Sequence, residues 1–253
     1  MKNYIFLNGI PRAGNTLFGY LINKHEDIAV TANSVLPDVL LQLYRIKAGE
    51  NFHNFPDEQS FNNMYKKIFD NYFEHWKQNN IVIRGPWGTQ GNQILLDNIA
   101  PHKQKHIILY RPLHECLNSF VSLVPKERRN TEHFVAEKLS LSGTIGKVLA
   151  ACKYIKEKKL DHIVVHYKDL IKNPEKEIKR VFKYLGLKYT KVNYKVTGQF
   201  ENNGIQYNDK IYKDVGGPEI PLHKLVLGKP RKIKNKNILP THIIKRCKEL
   251  DVF

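Results

Sequence analysis

A short loop near the start of the chain combines residue types that hold anions. The stretch YIFLNGIPRAGNTLFGYLINKH, Tyr4 to His25, reads as strand, loop and helix, and its loop carries Gly9, Pro11, Arg12, Gly14 and Thr16. Two glycines let the backbone curl close to a ligand. The N–H groups that open the following helix, with the positive end of its dipole, suit phosphate or sulfate oxygens. Thr16 can add a hydroxyl, and Arg12 a planar guanidinium fork. The spacing is that of the phosphate loop G-x-x-x-x-G-K-S/T, with Asn15 where the lysine belongs. In nucleoside triphosphatases that lysine reaches the β- and γ-phosphates, while a Ser or Thr and an Asp at another strand end hold Mg2+. Here two further strands, Ile81–Arg84 and His106–Arg111, end in arginine instead. Basic residues at strand ends predict an anion neutralised by protein cations without a metal.

Such residues must be carried by elements that converge. Strands are expected at 4–9, near 28–30, at 81–84, 106–111 and 162–167. Helices are expected at about 15–24, 36–48, 57–78, 113–123, 131–158 and 240–250. NPEKEIKRVFKYLGL is a further helix, with Pro174 in its first turn, acids early, bases late and Gly186 as its stop. Short, near-continuous apolar strands alternate with helices. This predicts an α/β fold: a single three-layer domain over 1–253 with a central parallel sheet of four or five strands and a phosphate-loop-like nucleotide site. The motifs fall within 4–187, and 188–253 is a loop-rich basic part of the same domain. Ligands of such sheets sit at the carboxyl ends of the strands.

Composition narrows the class. The chain has 253 residues, 42% hydrophobic and 26% charged, enough for a substantial core. No apolar run approaches the ~20 residues of a membrane span, and the apolar stretch after Lys2 is too short for a signal peptide. Cys116, Cys152 and Cys247 lie far apart, predicting neither a disulfide framework nor a zinc site and suiting a reduced, cytoplasmic protein. The net charge of +17 attracts polyanions or small multiply charged ligands without naming one.

The loop GIPRAGNTL resembles the 5′-phosphosulfate loop of the sulfotransferase family, G-x-P-R/K-S-G-T-T. Gly9, Pro11, Arg12, Gly14 and Thr16 match; Ala13 and Asn15 depart. YRPLHECLNSFVSL resembles the family's 3′-phosphate motif, an arginine at a strand end and a serine eight residues on, here Arg111 and Ser119. HYKDLIKNPEKEIKRVFKYLGL resembles its Y-E-D-L…P…L-G-L segment, matched at Tyr167, Asp169, Leu170, Pro174 and Leu185-Gly186-Leu187, with Lys168 for the usual acid. The resemblance implies a donor, 3′-phosphoadenosine 5′-phosphosulfate (PAPS), and no metal. It implies that Arg12, Ala13, Gly14, Asn15, Thr16 and Leu17 hold the phosphosulfate, that Arg111 and Ser119 hold the 3′-phosphate, and that Tyr167 lies near the adenine.

The implied reaction is sulfuryl transfer by in-line displacement to a hydroxyl or amine, with pre-placed cations and N–H donors stabilising the developing charge. Arg12 is expected on the leaving-group side, and Arg84, in IVIRGPWG, beside the transferring group. The general base is unplaced. Some members use a His after this strand, where Gly85-Pro86-Trp87 stand here; others use a Glu after the first helix, where Asn33 and Ser34 stand. Asp38 and His53 are the remaining candidates. From Lys224 to Lys248 there are nine Lys or Arg and no Asp or Glu, and Lys229 and Arg231 are expected as further nucleotide ligands. Trp87, His25, Phe52, Phe55 and Phe61 either line an acceptor pocket or pack the core. The acceptor, a small molecule or glycan, is not named by the loops at 31–62, 124–145 and 195–222. No specific nucleic-acid partner is expected, and oligomeric state is silent. The alternatives are a phosphate-loop small-molecule kinase, which would require ATP and Mg2+, and a non-catalytic basic protein that binds nucleotide or polyanion.

Overall fold

The computed structural model describes residues 2–99, 104–124, 126, 130–192, 198–209, 224–225 and 237–253. Apolar runs become strands wherever both faces can be covered. β1 (Asn3–Gly9), β2 (Ile28–Thr31), β3 (Asn80–Arg84), β4 (Lys105–Tyr110) and β5 (His162–His166) form one parallel sheet in the order β2-β3-β1-β4-β5. β1 is central, with Leu7 beside Arg84 on one edge and Gly9 beside Leu109 on the other. The chain builds β2 and β3 on one side of β1, then crosses to build β4 and β5 on the other. The loop after β1 therefore opens at the reversal point, where open α/β sheets form their ligand crevice.

The helices are α1 (Asn15–Ile22), α2 (Leu36–Lys47), α3 (Glu50–Asn54), α4 (Glu58–Tyr72), α5 (Gln90–Ile99), α6 (Leu113–Val121), α7 (Thr131–Leu139), α8 (Gly146–Glu157), α9 (Tyr167–Lys172), α10 (Pro174–Leu185) and α11 (Thr241–Leu250). They cover both faces. Phe6, Ala29, Ile81 and Ile83 pack with Leu40, Phe69, Trp87 and Leu96. Ile5, Leu7, Ile107 and Leu109 pack with Phe18, Ile22, Leu117 and Phe182. Each fully buried Leu, Ile or Phe contributes about 1.5–3 kcal/mol, so the sheet that carries the strand ends is rigidly backed.

Some boundaries differ from the sequence reading. The helix expected over 57–78 ends at Tyr72, because Phe73 and Trp76 turn inward and meet edge to face with ring centroids 4.9 Å apart. The stretch 131–158 is two helices, folded back between them by Gly143 N–H to Ser140 O (2.8 Å) and Ile145 N–H to Lys138 O (3.1 Å). α3, α5 and α9 form where no helix is expected, and Tyr167, expected to end a strand, opens α9. α10 opens on Pro174 and is closed by Gly186 with φ 77°, as expected, and the Asn173 side chain caps it by accepting from Lys176 N–H at 3.1 Å. The region expected as loop carries two short antiparallel pairs, β6 (Gly198–Gln199) with β9 (Lys224–Leu225), and β7 (Glu201–Asn202) with β8 (Ile205–Gln206).

Candidate functional site

The loop after β1 folds around two left-handed residues. Gly14 caps α1 with φ 97°, and Arg12 takes φ 71°. A non-glycine residue in that region costs about 1–2 kcal/mol, and such outliers gather where a chain must shape a site. Gly14 is required twice over: its φ suits only glycine, and a Cβ there would lie 2.6 Å from the Tyr167 ring. The N–H groups of Asn15, Thr16 and Leu17 open α1 without intrahelical acceptors, and no acid occupies the first turn. The Ala13 N–H is instead committed to Ile10 O at 3.1 Å, and its methyl is buried.

Asn15 explains the missing lysine. Its side chain turns inward and donates to Gly9 O at 3.2 Å and Ile10 O at 2.8 Å. The amide thus staples the loop to the end of β1, and its oxygen lies where any Cβ on Gly9 would be. What Asn15 can offer an anion is its backbone N–H. The positive charge comes from elsewhere.

Two guanidiniums supply it. Arg12 Nε donates to Ser119 Oγ on α6 at 3.3 Å. Arg111, at the end of β4, donates through Nη1 to the Arg12 carbonyl at 3.1 Å and through Nε to Glu115 Oε2 at 3.0 Å. The Arg111 guanidinium also sits 4.9 Å from the centroid of the Tyr167 ring, the same ring that abuts Gly14. Gly14, Tyr167, Arg111, Arg12 and Ser119 therefore form one linked cluster, from residues up to 155 positions apart. Among the described residues no carboxylate touches Arg12. Burial, and secondly the neighbouring Arg111, lower its pKa below the ordinary arginine value. A bound anion would relieve that repulsion.

Arg84 lies at the end of β3, on the other side of β1. Its Nη1 donates to Ala32 O at 3.0 Å and to the Tyr207 hydroxyl at 3.1 Å, and its backbone N–H donates to Thr31 Oγ1 at 3.0 Å. Both side-chain acceptors are neutral. Arg84 is thus held without an ion pair among the described residues.

Other sequence candidates fall elsewhere. Lys229 and Arg231 lie outside the described residues. Asp38 and His53 are exposed on α2 and α3. Trp87 is fully buried against Phe6 and Phe69. His25 follows the far end of α1, where Nε2 pairs with Lys188 O at 3.1 Å and Nδ1 accepts from Asp27 N–H; it braces that turn. Phe55 is exposed, while Phe52 and Phe61 meet edge to face with centroids 5.0 Å apart. Sequence reasoning missed Tyr207, which no motif marks, and Glu115, whose signal was its place four residues after Arg111. It also missed Asn118, whose Oδ1 accepts from Ile238 N–H at 2.8 Å and ties the C-terminal segment to the helix of Ser119.

Among the described residues no group of His, Cys, Asp and Glu is arranged to hold a metal, and no helix is long and apolar enough to cross a membrane. No curated sequence matches the chain significantly. A sulfotransferase from Alicyclobacillus acidocaldarius has the same fold, with TM-score 0.51 and 13% identity, over 85% of this chain and 90% of that one. The sulfotransferase domain of the Synechococcus PCC 7002 olefin synthase aligns with TM-score 0.48 and 19% identity, over 75% of this chain and 76% of that one. A mouse sulfotransferase complexed with PAP aligns with TM-score 0.48 and 13% identity, over 76% of this chain and 61% of that one. The profile of the sulfotransferase family matches residues 4–191, which include every described member of the cluster around Arg12, and the chain belongs to that family of transferases.

Proposed function

We propose that this transferase moves a sulfuryl group from PAPS to a hydroxyl or amine acceptor, a small molecule or glycan, and that 1–253 acts as one domain in the cytoplasm. The observation that carries the reading is the half-buried juxtaposition of Arg12 and Arg111 at a helix N-terminus, where among the described residues the half-exposed Glu115 is the one acid paired with either of them. That arrangement asks for a multiply charged anion and fits a bisphosphorylated nucleotide.

In this reading the N–H groups of Asn15, Thr16 and Leu17, with the Thr16 hydroxyl and the turn through Ala13 and Gly14, cradle the phosphosulfate. Arg111 and Ser119 hold the 3′-phosphate, and Tyr167 packs beside the adenine. Lys229 and Arg231 join as further ligands. Bound PAPS supplies a sulfuryl group joined to a phosphate leaving group. The acceptor oxygen or nitrogen forms its bond to sulfur as the bond from sulfur to the bridging oxygen breaks, and that oxygen keeps the electron pair on the 5′-phosphate. Arg12 and the helix N–H groups stabilise that charge, Arg84 stabilises the equatorial oxygens, and the acceptor's proton passes to a base. Preorganised donors of this kind supply much of the rate in group transfer.

Calorimetric titration tests the reading. Adenosine 3′,5′-bisphosphate (PAP) should bind tightly without metal, ADP weakly, and Arg111→Ala should lose the preference. Binding of ATP only with Mg2+ would identify a phosphate-loop kinase and overturn the proposal.

A further inference from the structure

Arg84 is reached by a residue far away in sequence. Tyr207 lies beyond the matched span 4–191, in the segment 198–209. Two contacts dock that segment over the end of β2, and a third closes it on itself. The Phe200 ring is buried against α1 at Gly19. Asn202 Nδ2 donates to Val30 O at 3.0 Å. Gln199 Nε2 donates to Tyr207 O at 3.2 Å and to Asp209 Oδ2 at 3.1 Å, closing the loop on itself. The Tyr207 ring then packs on Phe200 at 6.2 Å, and its hydroxyl both accepts from Arg84 Nη1 and donates to Ala32 O.

This is a fixed relay. Ala32 O is an acceptor for both partners, so the phenol proton is directed at the carbonyl and the phenol oxygen faces the guanidinium. Among the described residues the arginine is pinned by one carbonyl and one hydroxyl, both neutral, so its aim is set without an ion pair. A carboxylate in the same place would fix the aim and cancel the charge.

We infer that Tyr207 is a positioning residue: its hydroxyl holds the Arg84 guanidinium at the carboxyl end of β3, aimed for the transferring group. The inference rests on the role given to Arg84 above, and its tests separate the two. Side-chain 15N NMR of the free protein reads the contact itself. Rotation of the Arg84 guanidinium, assigned with Arg84→Lys, should be slowed in the native chain and released in Tyr207→Phe, a change that keeps the ring and its packing. Unchanged guanidinium dynamics would overturn the inference whatever the donor is. The second readout is release of sulfate from PAPS with water as acceptor, alongside PAP affinity by calorimetry. Tyr207→Phe should lower the turnover number about tenfold, the worth of one hydrogen bond to a charged group, with PAP affinity unchanged. Arg84→Ala should lose at least as much, and the double variant should be no worse than Arg84→Ala, since the hydroxyl acts only through the arginine. Additive losses would overturn the positioning role. Failure of the native protein to bind PAP would instead sink the proposed function, and the NMR result would then decide the inference alone.

Discussion

The two flanks of the loop after β1 are built in opposite ways. On the β4 flank, Arg12 and Arg111 crowd together, and Ser119, Glu115 and the Tyr167 ring hold them. On the β3 flank, Arg84 is held by a carbonyl and a phenol, with no ion pair among the described residues. The crowded flank stores electrostatic repulsion that an anion relieves, which suits binding. The sparse flank aims one cation without neutralising it, which suits a charge that develops only during reaction. In the proposed function, ligand binding then falls mainly to one side of β1 and the aimed cation to the other, with Arg12 serving both.

The strongest way to break this division is Arg12→Ala. Arg12 belongs to the crowded flank by contact and to the reaction by its place in the loop, so its loss should reduce turnover about 10²–10³-fold while circular dichroism shows an intact fold. Near-normal turnover would remove Arg12 from the mechanism. Arg12→Gly sharpens the point. It should be as inactive, yet more stable than Arg12→Ala by about 1 kcal/mol, because glycine adopts φ 71° without strain.

Both flanks share one support, and protonating it should weaken them together. Asn8 of β1 is fully buried; its Nδ2 faces His106 Nδ1 of β4 at 3.4 Å, and its Oδ1 accepts from Gly88 N–H, just past β3, at 3.1 Å. Burial, with a lesser push from His162, lowers the His106 pKa from 6.5 to about 4. The unfolded chain therefore takes up this proton near pH 6.5 and the folded chain only near 4. Stability should be full above pH 6.5 and fall as pH drops toward 4, by about 3 kcal/mol from this group. Urea unfolding across that window reads the slope, and His106→Gln should flatten it. An equal slope in the variant would assign the acid sensitivity to other groups.

Gly14→Ala attacks the junction of loop and Tyr167. It should destabilise by about 1–3 kcal/mol, the cost of a strained left-handed residue, and weaken PAP by displacing the ring that abuts it. Tyr167→Ala in the same background should restore part of the stability, since it removes the clash but not the φ. Full recovery would mean that φ 97° costs nothing here.

What the sequence disclosed does not divide along the same line: Arg84 was as legible as Arg111, since each stands at a strand end, while the phenol that holds Arg84 was not. The β4 flank was legible because each of its residues sits at a fixed offset from a strand end: Arg12 after β1, Arg111 after β4, Ser119 two helical turns on, Tyr167 after β5. Such offsets are local, and the alternation of apolar strands and helices sets where they meet. The inward turn of Asn15 was not legible, because an amide that faces a ligand and one that caps Gly9 O have the same spacing. Nor was Tyr207, whose partner is 123 residues away and whose segment is docked by a single buried ring and one amide. A contact fixed by tertiary docking leaves no period in the chain. The split of 131–158 was hidden for a simpler reason: both halves carry helical periodicity, and the break is made by backbone hydrogen bonds.

The smallest effect is the most discriminating about the crowded flank. Glu115 pairs with Arg111 at 3.0 Å, with side chains 46% and 11% exposed. A pair so open to water is worth about 0.2–1 kcal/mol, so Glu115→Gln should cost the free protein no more than that. Its effect on PAP separates two roles. If the acid mainly neutralises, removing it leaves both guanidiniums uncompensated, and PAP should bind about two- to fivefold tighter, the gain shrinking as salt screens it. If the acid mainly aims the Arg111 fork, binding should weaken at every salt concentration. Arg12 lies half-buried beside Arg111, and among the described residues no acid touches it, so charge outweighs aim on this flank and the tighter, salt-sensitive complex is the expected result. The opposite result would make Arg111 an aimed residue like Arg84 and erase the distinction between the two flanks.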